Sequence, residues 1–357
     1  IRAYIALGSA AIFVILGIMP INQVLSAIDW NVIMMIAGTM GIVSLFIESK
    51  MPARLADILI EKTPNMKWAI IALSLFSGII SAFIDNVATV LMVAPIAINI
   101  AKKLNVSPVT SIIAISIASN LQGAATLVGD TTSILLGGHA NMNFLDFFFF
   151  QGKFGLFWIV QAGAIAATLV LLLVFRKNNE PIRAMGRTQV TNYFPTILLV
   201  GMVALLIIAS FIPNTPKTIN GIICMSLLAI GILENFIRTK QFDIVNQTLK
   251  DIDYFTLLLL SGLFIVIASL TEVGVVADIA NLFMKLSGDN LFVIYSLLVW
   301  VSVLFSGFID NIPYVLTMLP VAGGIAQSMN VEPYILYFGL LIGATLGGNI
   351  TPIGASA

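Results

Sequence analysis

One motif occurs twice in this chain and constrains its fold more than any other feature. Residues 81–95 read SAFIDNVATVLMVAP and residues 306–320 read SGFIDNIPYVLTMLP, so that Asp85 aligns with Asp310. Each copy places an aspartate, followed by an asparagine, inside an apolar run. The shift between the copies is 225 residues, the difference between 310 and 85. Because the two halves repeat one unit, we expect them to share one architecture.

The repeat extends well beyond the motif. At the same shift the aligned pairs are Pro95 and Pro320, Pro108 and Pro333, Thr126 and Thr351, and Gly129 and Gly354. At a shift of 224, residues 28–30 (IDW) align with residues 252–254 (IDY). We therefore divide the chain into a first repeat with an N-terminal helix at 1–175, a cytoplasmic linker at 176–192 and a second repeat at 193–357.

Long apolar stretches recur along the whole chain. Four of them, each near the ~20 residues that a bilayer-spanning helix needs, are residues 4–19, 32–47, 154–175 and 196–212. Of the 357 residues 59% are hydrophobic and 10% are charged, whereas soluble domains contain about 25% charged residues. The sequence predicts an all-α polytopic membrane protein of the cell membrane, plasma or inner, with the lipid bilayer as its first partner.

The charge balance and the cysteine content exclude several classes of protein. The 17 basic and 17 acidic residues leave no net charge, so nothing indicates a nucleic-acid partner. The single cysteine, Cys224, lies in an apolar stretch and is interpreted as a packing residue. The sequence contains no nucleotide-binding motif, so any dependence on ATP would require a separate ATPase subunit. We predict that the protein is not an enzyme.

The length of residues 68–101 indicates a hairpin that enters and leaves the membrane on one side. These 34 residues would extend about 51 Å as one helix, which is too long for one ~30 Å crossing. Basic residues, which mark cytoplasmic loops, flank both ends of the segment. They are Lys50, Arg54, Lys62 and Lys67 before it, and Lys102 and Lys103 after it. We predict a re-entrant hairpin with Asp85 and Asn86 at its tip.

When the later spans are counted from this hairpin, the second repeat crosses the membrane in the direction opposite to the first. Basic residues at 176–187 and 238–240 place the linker and the end of a later span in the cytoplasm. The stretch 255–270 then runs outward, whereas its counterpart 32–47 runs inward. The second hairpin, at about 292–328, has no basic residue near its end, as expected for a hairpin that enters from outside. We therefore predict two inverted-topology repeats.

Each hairpin is followed by a second interrupted element. Residues 116–134 (SIASNLQGAATLVGDTTSI) and residues 343–357 (GATLGGNITPIGASA) contain helix-breaking residues. These are Gly123, Gly129, Gly347, Gly348, Pro352 and Gly354. A broken transmembrane helix at corresponding places in two inverted halves predicts a transport site at the membrane midplane.

Oxygen-bearing side chains concentrate at the hairpin tips and the helix breaks. The candidate ion- or substrate-binding residues are Asp85, Asn86, Thr89, Asn120, Thr126, Gly129 and Asp130 in the first half, and Asp310, Asn311, Asn349, Thr351, Gly354 and Ser356 in the second. Such oxygens suit hard cations, and the Na⁺ candidates are Asp85, Asn86, Asp310 and Asn311. An aspartate at this depth must bind a cation, form an ion pair or take up a proton. We expect no cofactor besides Na⁺ or H⁺ as the coupling ion.

Structural interpretations of the same residues remain open. Intramembrane Asn, Ser and Thr often only bridge helices, and for Thr89 and Ser356 this is an equal alternative. His139 is interpreted as a loop residue rather than a proton relay. The amphipathic segments 52–62 and 276–285 are predicted to lie along the membrane interface.

The motifs resemble those of a known family. The stretches SAFIDNVATVLMVAP, ASNLQGAATLVGD and GATLGGNITPIGASA, in that order, resemble the ArsB/NhaD family of the ion transporter superfamily. That family includes arsenite pump subunits, sodium–proton antiporters, P-protein-like permeases and citrate-transporter-like proteins. The resemblance implies two re-entrant hairpins whose tips, with the broken helices, enclose sodium and substrate sites. It also implies an elevator-like movement of this core and a homodimer.

The chain departs from this pattern in three ways. The dicarboxylate carriers have Ser-Asn-Thr at the hairpin tips, where this chain has aspartates, and this difference favours cation handling. Asp130 aligns with Ala355, and Thr89 aligns with Tyr314, so the two half-sites differ. The first repeat continues to about residue 175, whose counterpart would lie beyond residue 357. We therefore expect both ends to be cut and the second repeat to be C-terminally incomplete.

The leading functional hypothesis is a secondary-active ion transporter that uses Na⁺ or H⁺ at a midplane site, with Na⁺/H⁺ antiport favoured. Competition of two cations for one carboxylate would give exchange without further machinery. The main alternative is cation-coupled transport of a small anion or arsenite, as in citrate-transporter-like proteins, because half-helix N-termini can bind anions. Remote alternatives are an ion channel and an intramembrane aspartyl protease, the latter suggested by LVGD at residues 127–130.

Overall fold

The predicted all-α architecture is confirmed. A computed structural model describes residues 1–181, 186–240, 242–288, 290–351 and 354, with the side chains of 242–244 excepted, and they form a nearly all-helical protein. The first half contains α1 (Arg2–Ile15), α2 (Val24–Ala27), α3 (Trp30–Glu48), α4 (Met51–Glu61), α5 (Met66–Ser81), α6 (Asn86–Leu104), α7 (Val109–Gly123), α8 (Thr131–His139) and α9 (Leu156–Val174). It also has 3-10 turns at Ile21–Gln23 and Leu145–Phe147 and one antiparallel strand pair, β1 (Phe149–Phe150) and β2 (Lys153–Phe154).

The second half repeats the first with opposite topology. It contains α10 (Phe194–Ser210), α11 (Ile219–Thr239), α12 (Phe242–Asp251), α13 (Tyr254–Glu272), α14 (Val275–Ser287), α15 (Leu291–Ser306), α16 (Asn311–Met329) and α17 (Tyr334–Gly348). Among the described residues, six helices are long and apolar enough to cross a bilayer: α3, α6, α9, α11, α13 and α16. The two predicted amphipathic segments form α4 and α14.

Equivalent residues form equivalent helix ends in the two halves. The carboxylates of Asp29 and Asp253 each accept the backbone N–H three residues further on at 3.1 Å, which caps α3 and α13. Asn105 and Asn330 end α6 and α16 in the left-handed conformation, with φ of 54° and 53°. The duplicated sequence therefore specifies the same local boundaries twice.

One helix near the start of each half packs on a helix of the other half. Helix α11 packs along α3, and α1 packs along α13. The contact in each case is close because it is made at a glycine. A Cβ atom on Gly38 would lie 2.6 Å from the carbonyl carbon of Cys224, and one on Gly262 would lie 2.8 Å from that of Ala6. Cys224 is fully buried in this contact, in agreement with its predicted packing role.

Replacing Gly38 with alanine is expected to destabilise the scaffold by about 1–3 kcal/mol, because the new methyl group meets backbone that cannot rotate away. The measurement is the free energy of unfolding in an SDS titration. Gly201→Ala, in the middle of α10, is the matched control, because a Cβ there meets nothing within 4 Å. An equal effect of the two substitutions would contradict the close packing of α3 and α11.

The hairpins and the broken helices form the other part of each half. The pair α5–α6 packs on α7, and the pair α15–α16 packs on α17. Helix α16 also contacts α8, so the second hairpin touches the broken helix of the first half. His139 is the last residue of α8 rather than a loop residue, and its Nε2 lies 3.3 Å from the hydroxyl of Tyr337.

The linker between the halves is bound to the segment that leads into the first hairpin. Arg187 forms an ion pair with Glu61 at 2.7 Å, and the hydroxyl of Thr188 donates to Asp57 at 2.6 Å. Asp57 and Glu61 belong to α4. The linker therefore packs against the helix that connects α3 to the hairpin.

Candidate functional site

The tip of the first hairpin is a turn between α5 and α6 in which Asp85 caps the second helix. One carboxylate oxygen, Oδ2, accepts the N–H groups of Val87 at 3.1 Å and Ala88 at 3.2 Å. The other oxygen, Oδ1, accepts no hydrogen bond from any described residue. Asp85 therefore caps α6 through Oδ2, and its Oδ1 is available to a ligand. Thr89 is fully buried and donates to the carbonyl oxygen of Asp85 at 3.0 Å, which fits its structural interpretation.

Each broken helix is attached to its hairpin tip in the same way. The Thr126 hydroxyl donates to the carbonyl oxygen of Ala82, and the Thr351 hydroxyl donates to that of Gly307. Both the donors and the acceptors are 225 residues apart, the shift between the repeats. A Cβ on Gly129 would lie 2.8 Å from the Ala82 oxygen, so a larger residue does not fit there. These predicted site residues hold the backbone of the site together.

Three asparagines connect the two halves. Asn86 donates to Asn120 Oδ1 at 2.9 Å, and Asn120 donates to the Thr345 carbonyl oxygen at 3.0 Å and to Asn349 Oδ1 at 3.1 Å. Asn120 and Thr345 are equivalent in the repeat, since they too are 225 residues apart. A contact between equivalent residues of inverted repeats lies on the axis that relates them, and that axis lies in the membrane plane. The asparagine bridge therefore marks the midplane.

A cavity of about 500 Å³ reaches the first hairpin tip. Its lining includes Asp85, Asn86, Asp130 and Asn311 at the inner end. Glu48, Asp251 and Asp253, at the ends of α3, α12 and the start of α13, also line it. Basic residues lie beside two of these helix ends, Lys50 after α3 and Lys250 in the last turn of α12. No Lys, Arg or His is among its lining residues in the described chain, so its charge is acidic.

Asp130 lies where the first broken helix resumes as α8. Asp130 is only 3% exposed, and its Oδ2 accepts a hydrogen bond from the hydroxyl of Thr132 at 2.6 Å. The described residues offer no basic side chain within ion-pair distance of Asp85 or Asp130. A buried carboxylate without a basic partner is strongly disfavoured unless a cation or a proton neutralises it.

The second hairpin tip differs from the first. Asp310 Oδ1 accepts the N–H of Ile312 at 3.2 Å, whereas Oδ2 accepts Arg2 Nη1 at 2.6 Å. Asn311 is buried, and its N–H donates to the carbonyl oxygen of Gly354 at 3.2 Å. Tyr314, the counterpart of Thr89, donates its hydroxyl to Ser302 at 3.0 Å instead of to its own helix. The predicted asymmetry of the half-sites is present in these contacts.

The structure brings most of the predicted residues together and adds others. Ser356, Pro352 and Ala355 lie outside the described residues. Glu48, Asp251, Thr345 and Arg2 were not predicted as site residues. Asp253 was not predicted either, since its alignment with Asp29 indicates only the helix cap that both residues form. Arg2 is 308 residues from its partner and has no local signal.

The ligands at the first tip are mainly oxygen atoms. Within the described residues no group of three or more His, Cys, Asp or Glu side chains is placed to hold a metal ion. The first tip provides the carboxylates of Asp85 and Asp130, amide oxygens and the N-terminus of α6. Such a set can hold an alkali cation or accept a proton.

Comparison with known proteins agrees with this architecture. The profile of the citrate transporter family matches residues 1–343. An uncharacterized transporter of Mycobacterium tuberculosis is 32% identical over 374 residues, covering 100% of this chain and 84% of the relative. The P protein of Mus musculus is 26% identical over 436 residues, covering 98% of this chain and 52% of the P protein.

A solved structure shows a similar fold. The YdaH transporter of Alcanivorax borkumensis, whose crystal structure is described as having an unusual topology, superposes with a TM-score of 0.59. The match covers 98% of this chain and 88% of the other, at 12% sequence identity. At this identity the likeness concerns the fold alone.

Proposed function

Because this chain belongs to the citrate transporter family, we propose that it is a secondary-active transporter that exchanges Na⁺ for H⁺ at the tip of its first hairpin. Membership of a transporter family and the apolar helices make it an integral, multi-pass membrane protein. The transport of Na⁺, its coupling to H⁺ and the residues that bind both ions are proposed. We further propose that it works as a homodimer.

One observation carries the proposal. Asp85 and Asp130 line the same cavity, and no basic side chain lines it in the described chain. Their combined charge favours a cation in the cavity, and their burial makes the empty, doubly ionised state unfavourable. A carboxylate pair that must always hold either Na⁺ or H⁺ exchanges one for the other. Exchange then requires only that the hairpin core open alternately to the two sides.

A second candidate is cation-coupled transport of a small anion. The family includes citrate transporters by its description, and the N-termini of α6, α8 and α16 lie close to the cavity lining. Helix N-termini carry a partial positive charge and unpaired N–H groups, which suit carboxylates. In this case Na⁺ or H⁺ at Asp85 and Asp130 would offset the charge of the anion.

The test uses the full-length protein in proteoliposomes with an imposed pH gradient and a fluorescent pH dye. Na⁺, K⁺, arsenite and citrate are added in turn, with protein-free vesicles as the control. We expect Na⁺ alone to dissipate the gradient. No response to Na⁺ alone, followed by a response once citrate or arsenite is present, would contradict antiport and support the second candidate.

A further inference from the structure

The two hairpin tips have different electrostatic surroundings. At the second tip the guanidinium of Arg2 lies 2.6 Å from Asp310 Oδ2, and the Asp310 side chain is only 11% exposed. With Oδ1 bonded to the N–H of Ile312, both carboxylate oxygens are engaged. At the first tip, both bonds that Asp85 accepts from described residues end on one oxygen.

The helices that pack on the two repeats explain this difference. Arg2 is the first residue of α1, which packs on α13 of the second half. The corresponding contact in the first half is made by α11 on α3. The first turn of α11 carries no basic residue, and the N–H of Gly221 donates there to Asn31 at 2.8 Å. Among the described residues, a basic side chain is therefore supplied to Asp310 and not to Asp85.

We propose that Arg2 is the resident counter-cation of Asp310, so that the transported cation binds only at the first tip, between Asp85 and Asp130. This inference rests on the proposed cation exchange and names which half of the repeat performs it. An arginine remains charged at any physiological pH, so its ion pair does not release Asp310 by deprotonation. Its guanidinium also occupies the space in which a sodium ion would contact the carboxylate.

The pairing predicts a rescue that a cation site would not show. The Asp310 side chain is 11% exposed and that of Arg2 is 66% exposed, so removing Arg2 leaves a largely buried charge uncompensated, whereas removing both partners does not. Arg2→Gln should lower cation-driven flux at least about tenfold, whereas Asp310→Asn, which leaves only the exposed guanidinium unpaired, should lower it by no more than about threefold. The double variant, which removes both charges, should return to within about threefold of the unsubstituted protein. Arg2→Lys, which retains the charge, should be affected less than Arg2→Gln.

The control is the same rescue attempted at the first tip. Arg2→Gln should not restore flux to Asp85→Asn, because Arg2 does not contact Asp85. Thermal unfolding of all variants in detergent provides a second reading, in which the loss caused by Arg2→Gln should likewise be recovered in the double variant.

The outcomes separate this inference from the proposed function. If the unsubstituted protein shows no cation-driven flux, the proposed function fails, and the assignment of the transported cation fails with it. If flux is present but Asp310→Asn and the double variant are both inactive, Asp310 itself holds the transported cation. The role of Arg2 and the restriction of the cation to the first tip are then both overturned, while cation exchange stands. If Arg2→Gln alone retains full flux and stability, the ion pair has no part in the cycle and the inference is also overturned.

Discussion

Asp85→Asn is expected to reduce cation-driven flux by about a hundredfold or more while leaving the protein folded. The substitution removes the carboxylate from the proposed pair of Asp85 with its bound cation. Loss of one partner from a buried charge pair typically costs about 3–5 kcal/mol, and about 1.4 kcal/mol corresponds to a factor of ten. The folded structure should survive because asparagine is as good a helix N-cap as aspartate and can accept the same N–H groups of Val87 and Ala88. The initial rate of pH-gradient dissipation in proteoliposomes gives the effect.

The matched control for this substitution is Asp29→Asn. Asp29 caps α3 through a bond of 3.1 Å to the N–H of Val32, which is the same type of contact, but it does not line the cavity. We expect flux within about twofold of the unsubstituted protein, because only the cap is changed. If Asp85→Asn retained coupled flux at the level of Asp29→Asn, the carboxylate would be a cap and nothing more, and cation exchange at this tip would be refuted.

The repeat made much of the fold predictable. Asp85 and Asp310 were placed at hairpin tips from segment length and flanking charge alone, and they cap α6 and α16 as the second helices of those hairpins. The glycines after each hairpin marked the break between α7 and α8. Both features depend on the local sequence, so a single sequence predicts them.

The contacts between distant segments were not predictable in this way. Nothing near Arg2 indicates that it meets Asp310, because that contact depends on α1 crossing to the other half. The acidic lining from Glu48 and Asp251 likewise depends on where α12 lies relative to α3. Asn120 was predicted as a ligand, whereas its side chain is occupied by the bridge to Asn86, Thr345 and Asn349. Only the assembled halves distinguish a ligand from a bridge.

Asn120→Ala is expected to destabilise the protein by about 2–4 kcal/mol and to abolish transport. The substitution removes three hydrogen bonds, to Asn86, Thr345 and Asn349, and interhelical bonds in membranes are worth about 0.6–1.7 kcal/mol each. Because two of these bonds cross between the halves, their loss separates the first broken helix from the second. The free energy of unfolding in SDS and the flux assay measure the two effects.

The neighbouring Ser119 distinguishes this bridge from an ordinary buried polar contact. Ser119 is fully buried and donates one bond of 3.1 Å to the carbonyl oxygen of Asn86, within the first half. Ser119→Ala should therefore cost about 1 kcal/mol and leave most of the flux. If Asn120→Ala were no more harmful than Ser119→Ala, the contact on the symmetry axis would contribute little. The two halves would then be held together mainly by the glycine-mediated packing of α3 with α11 and of α1 with α13. The asparagines of the bridge would be free to act as ligands when the hairpin core moves.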